Sequence, residues 1–246
     1  MDRLIYTAMT GARHTMEQQA TVSNNLANAT TTGFRAQLDA FRAVPVVSDG
    51  LPTRAFVVDS TVGSDFRSGP IETTGRALDI AIRDQGMLAV QSADGSEAYT
   101  RNGSLKINEN GILQTTSGQT VVGDGGPIAV PPDTNITIAS DGTVSVINDT
   151  YQPGPSNVLG RLKLVNPDTK TLLRGDDGLF RQADGTPAQN DATVRVVDGA
   201  LEGSNVNPVD SMVDMISLAR SFEMQMSLLK NAENNAAKAT QILALS

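Results

Sequence analysis

The stretch TVSNNLANATTTGFRAQ, residues 21–37, closes an N-terminal segment in which Leu4 to Asn28 contain no proline and Gly11 as the only glycine. Asn24, Asn25 and Asn28 are poor interior helix formers that readily satisfy backbone groups where a helix frays. Gly33 supplies a left-handed or strained turn, and Phe34 then becomes an anchor in a neighbouring groove. Working backward, Ile5, Met9, Ala12, Met16, Gln19, Ser23 and Leu26 recur at alternating steps of four and three, the spacing of a heptad seam. Gln19 and Ser23 are its polar members, which cost stability and restrict register. Residues 1–36 therefore read as an N-terminal helical segment. On local chemistry alone, a plain helix cap followed by a loop accounts for residues 24–34 equally well.

The other terminus repeats the pattern. In SNVNPVD, Asn207 is placed to cap a helix and Pro208 to open it. Met212, Met215, Ala219, Phe222, Met226, Leu229, Ala232, Ala236, Ala239 and Leu243 then follow on one stripe, so residues 205–246 are expected to form a helix. One step of four becomes three between Leu229 and Ala232. Arg220 and Glu223 fit a solvated face or a contact with a neighbour.

Between the ends the texture changes. Short β-branched runs alternate with the turn pairs Asp94-Gly95, Asn102-Gly103, Asn110-Gly111 and Ser117-Gly118, which predict an antiparallel meander within a central β domain at 76–204. Residues 37–75 lack sustained periodicity and read as an extended arm. The expected class is α+β, with the terminal helices forming an antiparallel coiled coil.

Composition excludes several function classes. A net charge of −8 gives no electrostatic footprint for nucleic acid or an anionic membrane. No 18-residue apolar run occurs, so no membrane insertion is expected, and the N-terminus lacks a signal-peptide h-region. Cysteine is absent, which removes disulfides and thiol chemistry. His14, the sole histidine, lacks partners for metal or base catalysis. GDGGP at 123–127 lacks the lysine of a phosphate loop, and the Asp-rich turns lack EF-hand spacing. The Asn-x-Thr sequences NAT, NIT and NDT are explained by composition. No cofactor, metal or catalytic site is expected. A carbohydrate hydrolase would need two carboxylates across a cleft, and the chain has no tryptophan for stacking on sugars.

Neither terminal stripe is strong enough to stand alone. Burying Ile5, Met9, Met16 and Leu26 yields roughly 1.5–3 kcal/mol each, against roughly 1–2 kcal/mol per residue for ordering the backbone. The two stripes must meet. Apolar residues around MVDMISLARSFEMQMSLL occupy more than one face, so helices from other subunits are expected to cover the remainder.

SNNLANATTTGFRA resembles the N-terminal signature of the flagellar axial proteins, the rod and hook family of the bacterial flagellum, whose usual form is A-N-N-L-A-N, then T-x-G-F and a basic residue. LDIAIRDQGMLAV, YTRNGSLKINENGILQTTSGQTVVG and LEGSNVNPVDSMVDMISLARSFEMQ continue the resemblance in the family's order. QGMLAV departs from it, since relatives commonly carry paired aromatics there. The opening MDRLIYTAMTGA, AVPV and the length look like a proximal-rod member; the distal-rod and hook paralogues are the alternatives, with a β-rich surface adhesin or phage tail component outside the family.

The resemblance implies a structural subunit of the periplasmic rod, secreted through the flagellar type III export apparatus, whose partners are other rod proteins and copies of itself. It implies that terminal helices form the inner tube and transmit torque. Register-setting contacts are expected at Asn24, Asn25, Asn28, Gly33 and Phe34, and at Glu202, Gly203, Ser204 and Asn205. Ile5, Met9, Met16, Leu26, Met212, Met215, Arg220, Phe222, Met226 and Leu229 complete the expected subunit interface.

Overall fold

A computed structural model of the chain describes residues 2–45, 55–132, 134–148 and 157–244. The fold is α+β: an antiparallel β domain lies in sequence between two long helices. Two compact units are present, one made of Met1–Ala29, Ala36–Asp65 and Val206–Ser246, the other of Thr30–Arg35 and Phe66–Asn205.

The first unit holds α1 (Asp2–Ala27), α2 (Pro208–Ala244) and a ribbon of β1 (Gln37–Pro45) paired antiparallel with β2 (Ala55–Ser64). The segment read as an arm thus carries a ribbon, with residues 46–54 outside the described set. Asn207 opens α2 as its sequence suggests: its Oδ1 accepts from Val209 N at 3.0 Å, with Pro208 the first helical residue.

α1 and α2 pack along one another, and the stripe facing inward shares every second position with the expected one, the intervening positions lying one residue earlier. On α1 it runs through Ile5, Ala8, Ala12, Thr15, Gln19, Val22 and Leu26. On α2 it runs through Ser211, Met215, Leu218, Phe222, Gln225, Leu229 and Ala232, in steps of four and three with no break. Met9 and Met16 are 55% and 57% exposed, and Met212 and Met226 also face outward. The cause is steric: Ala8, Gly11, Ala12 and Thr15 let the helix backbones approach. A Cβ on Gly11 would fall 2.9 Å from Gln225 Nε2. The side chains of Ala236, Ala239 and Leu243, expected to extend the stripe, lie outside the described residues, as do Asp149 and Thr150 of the third Asn-x-Thr sequence.

A second face of α1 carries the ribbon. Thr21 Oγ1 donates to Asp39 Oδ1 at 2.9 Å, and the His14 ring meets Phe41 edge-on at 5.7 Å. Asn25 behaves as a piece of strand: its Nδ2 donates to Gln37 O at 2.9 Å while its Oδ1 accepts from Gln37 N at 2.8 Å.

The second unit contains β3 (Ile71–Thr73), β4 (Ile80–Arg83), β5 (Met87–Gln91), β6 (Glu97–Thr100), β7 (Leu105–Ile107), β8 (Leu113–Thr115), β9 (Thr120–Gly123), β10 (Gly126–Pro127), β11 (Thr134–Ile138), β12 (Thr143–Asn148), β13 (Asn157–Arg161), β14 (Leu164–Val165), β15 (Leu172–Arg174), β16 (Phe180–Gln182), β17 (Arg195–Asp198) and β18 (Ala200–Glu202). The main sheet runs β15-β16-β6-β5-β9-β8-β7, with β10 on β9 and β14 on β5; β11-β12-β13 form a second sheet, and β17-β4 and β18-β3 are pairs.

Strand β5 explains the continuous apolar run MLAV. Leu88 and Val90 enter the larger core with Ile80, Ile82, Leu113 and Leu164, while Met87 and Ala89 enter a second core with Tyr99 and Phe180. A strand buried on both faces needs apolar residues at every position. Met87 meets that requirement.

The turns at Gly95, Gly111 and Gly118 join paired strands, but Asn102-Gly103 does not make a hairpin, because β6 and β7 are not neighbours. Glycine is needed at 103 for another reason: an added Cβ would lie 1.8 Å from Ile80 O.

Candidate functional site

Along the sequence the chain passes between the two units at 29/30, 35/36, 65/66 and 205/206. Within the second unit, the residues beside these passages are tied into one buried cluster. Backbone bonds set its frame. Gly33 N donates to Glu202 O at 2.7 Å, Gly203 N to Pro70 O at 2.8 Å, and Asn205 Nδ2 to Arg67 O at 3.0 Å. The segment carrying TGFR, the segment after Asp65 and the segment carrying LEGSN are thereby held together.

At the centre, the Glu202 carboxylate receives Arg35 Nη2 at 2.7 Å and Gly69 N at 2.9 Å on Oε1. Arg101 Nε stands 2.9 Å from Oε2 without hydrogen-bond alignment, while its Nη2 makes a long hydrogen bond of 3.4 Å to Oε1. Arg101 also donates through Nη1 to Gly86 O at 2.8 Å and through Nη2 to Asp84 O at 2.7 Å. The side chains of Arg35, Glu202 and Arg101 are 1%, 0% and 3% exposed. Burial drives the Arg101 pKa down, with the Glu202 charge acting in the opposite direction. Arg174, whose pKa burial also lowers, donates to Arg35 O at 2.9 Å and lies 4.5 Å over the Phe34 ring.

Gly33 has φ +69°, and an added Cβ would stand 2.4 Å from Arg101 C and Asn102 N. Only glycine fits both the conformation and the approach. At Gly69 the same test gives 2.2 Å to Gly203 O. The cluster ties together, within the second unit, the chain segments that enter and leave the β domain.

The expected contact residues divide between the units. Gly33, Phe34, Glu202, Gly203, Ser204 and Asn205 belong to the cluster region, with Gly33, Phe34, Glu202 and Ser204 buried in their own unit. Phe34, expected in a neighbouring groove, lies beneath Arg174 of its own chain. Asn24, Asn25, Leu26 and Asn28 sit at the end of α1, where Asn28 Nδ2 donates to Asn24 O at 2.9 Å. Ile5, Met9, Met16, Met212, Met215, Arg220, Phe222, Met226 and Leu229 lie on the helices. Arg35, Arg101, Arg174 and Gly69 escaped sequence reading; the one available signal was the basic residue that follows T-x-G-F. His14 meets Glu17 Oε2 at 3.1 Å, and no group of metal-ligating side chains occurs among the described residues.

Three family profiles match the chain: "Flagella basal body rod protein" over residues 5–35, "Flagellar hook protein FlgE/F/G D1 domain" over 81–146, and "Flagellar basal body rod FlgEFG protein C-terminal" over 197–242. Arg35, Arg101 and Glu202 fall one in each matched segment. The flagellar basal-body rod protein FlgF of Escherichia coli (strain K12) is 52% identical over 256 residues, covering 100% of both chains. The chain belongs to the FlgF family of flagellar basal-body rod proteins.

Similarity extends to FlgF of Caulobacter vibrioides at 34% identity over 94% of each chain. The flagellar basal-body rod protein FlgG of Buchnera aphidicola subsp. Acyrthosiphon pisum is 30% identical, with 90% of this chain and 92% of the relative covered. The chain is thus a structural protein of the bacterial flagellum, located in the basal-body rod. Among the described residues no helix is long and apolar enough to cross a membrane.

Proposed function

We propose that this chain is a proximal-rod subunit that assembles through its terminal helices and passes motor torque along the periplasmic drive shaft. In this reading residues 1–36 and 205–246 form the rod core as an antiparallel coiled coil, 37–75 link it to the β domain, and 76–204 form that domain. The partners are the distal-rod protein, proximal-rod subunits and copies of itself, after passage through the type III export apparatus.

The observation that carries this reading is how the helices divide their apolar residues. Small side chains at Ala8, Gly11, Ala12 and Thr15 occupy the middle of the α1 stripe that faces the chain's own second helix, while Met9, Met16, Val209, Met212, Val213, Ile216 and Met226 remain exposed. Apolar surface of that extent on a helix pair marks an interaction site. Register-setting contacts at Asn24, Asn25 and Asn28, and a contact with a neighbouring subunit at Arg220, belong to the same proposal.

The test replaces Met16 and Val213 by aspartate, singly and together. Both side chains are exposed, so the free chain should unfold as before, while incorporation into purified basal bodies and swimming should be lost. Motile cells with intact rods containing the doubly substituted chain would refute the assignment of these faces.

A further inference from the structure

We propose that a cleft beside the buried cluster receives a carboxylate side chain from a neighbouring subunit; this rests on the assembly reading above. The cleft lies wholly within the β-rich unit, has a volume of about 390 Å³, and is bordered by Arg35, Phe66, Asp84, Met87, Arg101 and Asp168, among others. Two guanidinium groups share one carboxylate, Glu202, so the buried cluster carries one cation in excess. Arg35 Nη1 is shielded from water and has no hydrogen-bond partner among the described residues. A buried charge without full pairing is costly, and its field is weakly screened in a low-dielectric surround. An anion entering the cleft would supply the missing countercharge.

The walls narrow the class of anion. Phe66 and Met87 offer apolar surface to the methylene stem of an acidic side chain. At the rim, Asp84 and Asp168 are exposed carboxylates, Asp84 with 88% of its side chain accessible. They repel anions, those of multiple charge most strongly, so a single carboxylate is the least opposed. The subunits themselves can provide it: the chain carries 27 acidic against 19 basic residues.

The experiment uses the full-length chain with carbon-13 labelled methionine methyls, titrated with the α-N-methylamide of N-acetyl-glutamate, which carries one carboxylate, and, separately, with the uncharged α-N-methylamide of N-acetyl-glutamine at matched ionic strength. The Met87 methyl should shift saturably with the acid alone, while Met9 and Met16 stay fixed as internal controls. Asp168→Asn removes a repulsive rim charge but keeps an oxygen for the Lys170 N–H it accepts at 3.0 Å, and should tighten binding up to about fivefold. Arg35→Lys should weaken it.

A Met87 methyl that stays still with the acid, or responds equally to the neutral amide, overturns the site. Because the probe acts on free chain, that failure leaves helix-driven assembly standing. Conversely, assembly of the Met16→Asp chain would remove the proposed helix contacts while the titration still reports on the cleft.

Discussion

Replacing Glu202 by glutamine should destabilise the β-rich unit more than replacing Arg35 by methionine, although each removes one member of the same 2.7 Å pair. The asymmetry follows from the charge count. Without Glu202 the cluster holds two buried guanidiniums and no anion, and breaking a buried pair in this way costs about 3–5 kcal/mol. Glutamine retains an oxygen for Gly69 N and Arg35 Nη2, so the loss isolates charge from hydrogen-bond geometry. Without Arg35, Glu202 keeps Arg101 Nε at 2.9 Å and the Gly69 amide, and the unpartnered Nη1 disappears with the side chain. The cost is then one charge-assisted hydrogen bond, about 1.5–3 kcal/mol, less the relief of that orphan. Urea unfolding followed through the Met87 methyl resonance reads the second unit directly. With a slope of roughly 1–3 kcal/mol per molar urea, Glu202→Gln should lower the midpoint by more than about 1 M and Arg35→Met by clearly less. Equal losses, or a larger one for Arg35→Met, would refute the excess-cation description.

Gly33→Ala should cost the same unit more than about 3 kcal/mol, combining roughly 1–2 kcal/mol for the left-handed backbone with overlap against rigid main chain at 2.4 Å; a midpoint within error of the parent chain would remove the close-approach argument. Gly11→Ala meets only the movable end of Gln225 and gains about 1 kcal/mol of helix propensity. Helicity by circular dichroism should hold or rise, whereas Gly11→Leu should lower the melting temperature of the helix pair. Burial and its bond to Glu97 push the Tyr99 phenol from its ordinary 10.0 to about 12. Its stabilising contribution is complete below pH 10 and is lost as pH rises to about 12, because the unfolded chain releases the proton first. The slope is about 1.4 kcal/mol per pH unit, and Tyr99→Phe should flatten that window in alkaline unfolding curves.

Some features were legible because they are local. Asn207 and Pro208 announce the start of α2, and the glycine turns at 95, 111 and 118 announce hairpins, each through backbone preferences of adjacent residues. Asn102-Gly103 carries the same dipeptide signal yet serves a close crossing against Ile80, a demand set by a segment some twenty positions away. Glu202 was named through the family segment around it, but its pairing with Arg35 and Arg101 was illegible for the same reason. Arg35, Arg101 and Glu202 are single charged residues far apart in sequence, and no periodicity links them. Heptad spacing gave the helical stripe its period but not its phase, since Met and Ala both count as apolar.

That phase bears on function through the size of the side chains on each side of it. Had the helices packed through Met9 and Met16, the chain alone would bury two large side chains worth roughly 1.5–3 kcal/mol each, and little would remain to reward a partner. Packing through Ala8, Ala12 and Thr15 instead forgoes that gain but brings backbones close, where dispersion contacts and a fixed register compensate in part. The methionines are left outward, with flexible stems that conform to irregular grooves. Under the proposed assembly a free subunit would be only modestly stabilised in its helices, and each added neighbour would supply apolar burial that the single chain lacks. Leucine at both Ala8 and Ala12 should therefore splay the pair and weaken incorporation even with Met9 and Met16 unchanged. Normal incorporation by that variant would show that close backbone approach contributes nothing to assembly.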